Sequence, residues 1–184
     1  MRKNFGAKPF LYPQPVFIIA TYNDDGTADA MNAAWGGISD SNQITMCISA
    51  THLTTKNVLA RGAFTVSMGT ADTVAACDYV GLVSGEKEPA KLDKAGFHAV
   101  KSEFVDAPLI AELPMAVECR LVCFDPESCR MVGVIVNVCA EEGVLTDGKV
   151  DPAKLRPITF DGQNNTYLVL GEKVGDAFSD GLHL

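Results

Sequence analysis

Two long runs of β-forming residues, Met115 to Phe124 and Met131 to Ala140, are separated by six residues that include the turn-forming Asp125-Pro126-Glu127-Ser128. Asp, Pro and Ser are turn formers, and so short a connection joins neighbouring strands only in antiparallel fashion. A sheet built around this hairpin cannot be a parallel, doubly wound one. Further β-type runs follow the same logic: Val16 to Ala20, closed by Asp24-Asp25-Gly26; Thr27 to Trp35 as its return strand; Gln43 to Ser49; Ala63 to Met68; and Thr166 to Leu170. About seven short strands with few helices predict a mainly β barrel or sandwich.

Helical signals are brief. Thr54-Thr55-Lys56-Asn57-Val58-Leu59-Ala60-Arg61-Gly62 has hydroxyls at its start, a cation near its end and glycine just beyond, which predicts a short helix with Thr54 as a possible cap. Asp72 to Tyr79 reads as helical, and Gly81 to Gly96 as a surface excursion with one more helical turn. No linker or repeat divides the 184 residues, so residues 1–184 are expected to form one domain.

Fifteen Lys and Arg against 23 Asp and Glu give a net charge of -8, which disfavours nucleic acid and anionic membranes as partners. No apolar run approaches the roughly 18 residues of a membrane helix, and prolines interrupt the segment after Met1-Arg2-Lys3 where a signal-peptide core would lie. The six cysteines are scattered through apolar stretches, which favours reduced thiols and a cytoplasmic setting. Cys119 and Cys123, four apart in one strand, are expected on one face, but no CxxC or neighbouring His accompanies them, and buried thiols are favoured over zinc.

Against this acidic background, no Asp or Glu occurs from Ser41 to Ala71, while His52, Lys56 and Arg61 all fall inside that window. A helix N-terminus offers free amides and partial positive charge, so Thr54, Thr55 and Lys56 could hold a phosphate, or Thr54 could simply cap the helix. A second constellation is Met31-Asn32-Ala33-Ala34-Trp35-Gly36-Gly37, where small residues would let a flat ring approach the backbone. The alternative is a turn packed on a core Trp35. Walker, GxGxxG, HExxH and GxSxG patterns do not occur. His52 is the one histidine near either constellation, and it suits a ligand contact better than a general base.

The order TYNDDGTADAMNAAWGGIS, ITMCIS and HLTTKNVLARGAFTVSM resembles the flavin reductase-like, FMN-binding split β-barrel family, with the flavoredoxin branch nearest. YVGLVSGEKEPAK and YLVLGEKVG agree, extending the likeness over roughly residues 10 to 178. The resemblance implies FMN at a homodimer interface, with its phosphate near Ser49, Thr51, His52, Thr54, Thr55 and Lys56 and its ring near Asn32, Ala33, Ala34 and Trp35. It implies an oxidoreductase with NAD(P)H as electron donor, no protein side chain acting in the chemistry, and an electron-accepting protein as a further partner. Two alternatives stay open: a flavoredoxin-type electron carrier without NAD(P)H activity, and a non-catalytic haem- or flavin-binding barrel. His52 stands where many relatives carry Arg, which puts the charge at the phosphate in question.

Overall fold

The structure is a computed structural model that describes residues 1–183. Its strands, in chain order, begin with β1 (Phe17–Tyr22), β2 (Ala28–Ala33), β3 (Gly36–Asp40) and β4 (Gln43–Cys47). Helix α1 (Leu53–Arg61), β5 (Ala63–Met68), α2 (Val74–Leu82), α3 (Lys91–Ala95), β6 (Ala99–Lys101) and β7 (Pro108–Ile110) follow. The long hairpin is β8 (Met115–Asp125) and β9 (Arg130–Ala140), and after it come β10 (Leu145–Thr146), β11 (Lys149–Val150), α4 (Pro152–Leu155), β12 (Ile158–Asp161) and β13 (Thr166–Val169).

One seven-stranded antiparallel sheet has the order β2-β1-β5-β8-β9-β4-β3. Its two edge strands, β2 and β3, are consecutive in sequence and only Ala34 and Trp35 lie between them. The three Cα–Cα steps from Ala33 to Gly36 span at most about 11 Å, so the sheet must curl until its edges approach at this end. The sequence closes the barrel there and leaves it split along the rest of β2 and β3, which are not hydrogen-bonded to each other. The β3–β4 ladder runs back into this crossing, where Cys47 N–H donates to Trp35 O at 2.8 Å. At the far end of β3, the register with β4 shifts between Ile38 and Asp40.

Alternation along β1 places its side chains in two cores. Phe17 and Ile19 join Ile44, Met46, Phe64, Val66, Val117 and Met131, with Val58 of α1 packed among them. Val16, Ile18 and Ala20 face the other way, onto Cys77 and Val80 of α2, Leu92 of α3, Phe97 and Ile158. Burial on both faces explains why VFII is a continuous apolar run rather than an alternating one. Gly133 is required by this packing: a Cβ there would lie 2.4 Å from Phe64 Cζ.

Several expectations are met. The Met115–Ala140 hairpin pairs antiparallel, Ala63–Met68 is a strand, and Gly62 ends α1 at φ 67 with its N–H on Val58 O at 2.8 Å. Others are corrected. Gly36-Gly37 is strand rather than turn, and Trp35 is 53% exposed, not in the core. Cys119 is buried but Cys123 is exposed, because the β8–β9 register shifts between Leu121 and Cys123 and the extra residue reverses which face follows. Cys47 is also exposed. The short strands β6, β7, β10, β11 and β12 had no sequence signal long enough to read.

Candidate functional site

The barrel's closure also forms the wall of a cleft of ≈ 400 Å³, a size within the range of small-ligand sites. Met31, Asn32, Ala33, Ala34 and Trp35 line one side, running from the end of β2 through the crossing. Cys47, Ile48 and His52 continue the wall to the start of α1, Asp78, Gly81 and Leu82 of α2 face them, and Phe160 and Tyr167 of the β12–β13 hairpin complete it. All four residues expected to meet a ring therefore lie together. Their side chains are small at Ala33 and Ala34, and the exposed indole of Trp35 stands at the rim. Gln14 fixes the crossing from outside by donating its Nε2 to Ala34 O at 2.6 Å.

His52 joins this cleft to the helix start. It occupies the cap position of α1, in extended conformation, but its side chain makes no capping bond. The first helical bond is Lys56 N–H to His52 O at 3.2 Å, so the amides of Leu53, Thr54 and Thr55 have no acceptor within the helix. No acidic residue sits in the first turn. Ser49 and Thr51 lie beside it with their hydroxyls 2.9 Å apart, and Lys56 projects into solvent.

The expected phosphate residues divide by orientation. Thr54 and Thr55 are buried: Thr54 donates its hydroxyl to Asp29 Oδ2 at 2.8 Å, and Thr55 donates its own to Ser49 O at 2.8 Å. Neither caps the helix, and what each can offer a ligand is a backbone amide. Lys56 Nζ lies 2.6 Å from Glu86 Oε1, with both side chains about half exposed, and this contact holds the Glu86 carboxyl below its usual range. So exposed a pair is weak and would yield readily to a phosphate. Amides, hydroxyls and one lysine around a helix start with no acid in its own first turn, continuous with an apolar cleft, fit a flat ring that carries an anionic tail.

Behind the helix start, a smaller cavity of ≈ 140 Å³ shares Met31, His52 and Gly81 with the cleft. It is bordered by Asp29 and by Lys91, whose Nζ is 2.8 Å from Asp29 Oδ1 with both side chains almost fully buried.

Sequence reasoning missed Asp78, Leu82, Phe160 and Tyr167. They come from a helix and a hairpin some eighty residues apart; Leu82 and Tyr167 fall inside segments that carry the resemblance, but nothing in those segments points to the cleft. Tyr167 donates its hydroxyl to Asp78 Oδ1 at 2.7 Å, and its ring lies 5.9 Å from that of Phe160. Burial first, then the Asp78 carboxylate, push the Tyr167 phenol up to about 12.

Residues 10–151 match the flavin reductase like domain. Flavoredoxin of Desulfovibrio vulgaris (Miyazaki F) is 36% identical and superposes with a TM-score of 0.94 over 98% of this chain and 100% of that one. An FMN-binding domain of a flavin reductases-like enzyme from Shewanella baltica OS155 is 18% identical with a TM-score of 0.79, over 89% of each chain, a likeness of fold. An uncharacterized protein of Aeropyrum pernix is 32% identical over 114 residues, which are 61% of this chain and 43% of that one. The chain thus spans less than half the length of that relative.

Proposed function

The chain belongs to the flavin reductase like domain family, and from that membership we propose that it binds FMN in the cleft and acts as an NAD(P)H-dependent flavin reductase. The observation that carries the reading is the continuity, through His52, of an apolar ring-sized cleft with a helix start that has no acidic residue in its first turn. FMN, when bound, supplies hydride and electron transfer. The chain's residues supply the rest. The amides of Leu53, Thr54 and Thr55, the hydroxyls of Ser49 and Thr51, and Lys56 would hold the phosphate. Asn32, Ala33, Ala34 and Trp35 would orient the ring and exclude water from one of its faces.

The 36% identity to a flavoredoxin favours a second reading, an FMN electron carrier that takes electrons from a protein partner and does not oxidise NAD(P)H itself. Both readings place FMN beside a homodimer interface, and six free cysteines suit a cytoplasmic setting. The test is direct. After reconstitution with FMN and gel filtration, a retained flavin spectrum is expected, and a colourless protein would remove both readings. Steady-state oxidation of NADH and NADPH then separates reductase from carrier. Sedimentation of the flavin-loaded protein as a 19.6 kDa monomer would exclude the dimer.

A further inference from the structure

Among the described residues, the cleft is lined by a single carboxylate and by no lysine or arginine. Among the described residues lining it, Asp78 is the one acidic side chain, and no cation lies within ion-pair distance of it. Asp78 is held in place from two directions. Tyr167 donates to its Oδ1 at 2.7 Å, and Asn32 Nδ2 bonds the carbonyl of the preceding residue, Cys77, at 3.0 Å. One turn further along α2, Gly81 allows the helix to lie directly on β2, since a Cβ there would be 2.8 Å from Asn32 Cβ. The carboxylate is therefore fixed on the wall beside the very residue expected to meet the ring.

An unneutralised negative charge at the edge of a partly water-excluded cleft disfavours any increase of negative charge inside it. Resting on the reading that the cleft binds FMN, we propose that Asp78, positioned by Tyr167, sets the reduction potential of the bound flavin by lowering it, and so makes the loaded protein a stronger reductant than its cleft would otherwise be. Tyr167 acts in the opposite sense. Its hydroxyl donates a hydrogen bond to Asp78, which draws charge away from the side facing the cleft, and its phenol stays protonated at any pH near neutral. Two neighbouring residues thus pull the same equilibrium in opposite directions, a signature that loosening of the site cannot imitate.

The experiment is a spectroscopic redox titration of the FMN-loaded protein, with Asp78→Asn and Tyr167→Phe variants. Asp78→Asn keeps the shape and should raise the midpoint by about 30 mV or more, a tenfold change in the two-electron equilibrium. Tyr167→Phe should lower it. In the flavin-free protein, Asp78→Asn should also move the Tyr167 phenol down from about 12, read by absorbance during alkaline titration. Should the amide disturb α2, Asp78→Ser makes the same comparison. An unchanged midpoint in the Asp78 variant, or shifts of the same sign in both variants, overturns the inference while leaving FMN binding intact. Failure of the wild-type chain to bind FMN overturns the inference together with the reading beneath it.

Discussion

Lys91 meets Asp29 at 2.8 Å inside the protein, with side-chain exposures of 4% and 2%. The same carboxylate accepts the Thr54 hydroxyl, so β2, α1 and α3 are tied together behind the helix start. Lys91→Met would leave Asp29 buried without its cation and should cost about 3–5 kcal/mol, read as a lowered urea midpoint. Asp29→Asn combined with Lys91→Met removes both charges and should recover most of that loss. A double variant as unstable as the single one would mean that the pair's charge is not what matters.

Lys56 is exposed and only weakly engaged by Glu86. Lys56→Ala should weaken FMN binding by about 1.5–3 kcal/mol, roughly tenfold to a hundredfold, and leave riboflavin affinity nearly unchanged. Glu86→Gln should act in the other direction, freeing the ammonium. Equal losses for FMN and riboflavin in calorimetric titrations would move the phosphate away from Lys56.

The cysteines sort by exposure. Cys47 and Cys123 should be alkylated first in the native protein, followed by Cys129 and Cys139, while Cys77 and Cys119 react only after unfolding. Burial pushes the Cys119 thiol up to about 12, which keeps it protonated as well as hidden. Peptide mapping after brief iodoacetamide treatment checks the order. Replacing the six cysteines by Ala or Ser should leave electron transfer within a few-fold if the variant folds, and its abolition by Cys129→Ser alone would contradict a flavin-only route.

His98 and Glu112 form an exposed pair, Nδ1 to Oε1 at 2.5 Å. The hydrogen bond and charge of Glu112 raise the His98 pKa above 6.5, and the bonds from His98 help hold Glu112 below 4.5 despite its partial burial. The raised histidine favours folding fully below pH 6.5 and loses that effect as pH rises through its folded value. The lowered carboxylate favours folding above pH 4.5 and loses its effect as pH falls through its own. The pair therefore contributes most between those limits, and little in all, because water screens it. In an NMR titration, Glu112→Gln should return the His98 inflection toward 6.5.

Much of this was legible in the sequence where pattern and length agreed. The hairpin of Met115–Ala140 and the strand Ala63–Met68 are long enough for β-propensity to decide them, and Gly62 announces the end of α1. Residues 32–35, singled out in the sequence as small residues leading to the lone Trp, do line the cleft, and the helix start was marked by its lack of acid in the first turn. What escaped depends on long-range pairing. A single extra residue between Leu121 and Cys123 reverses a face that alternation alone would keep. Gly36-Gly37 looks like a turn until a strand partner, β4, is available. Thr54 looks like a cap until Asp29, 25 positions earlier, claims its hydroxyl. Asp78 and Tyr167 become neighbours only after the β12–β13 hairpin folds back over α2.

A barrel that stays split keeps a strand with unsatisfied backbone groups, and such a strand is a template on which another chain can grow. One of the two such strands is β3, short at five residues, with Ile38 68% exposed. The irregular register between Ile38 and Asp40, together with the charge of Asp40 itself, interrupts the flat ladder that a second edge would need. Straightening this corner, by deleting Ser39 and neutralising Asp40, would turn the protein's free border into an invitation to fibrillar stacking while leaving the cleft residues untouched.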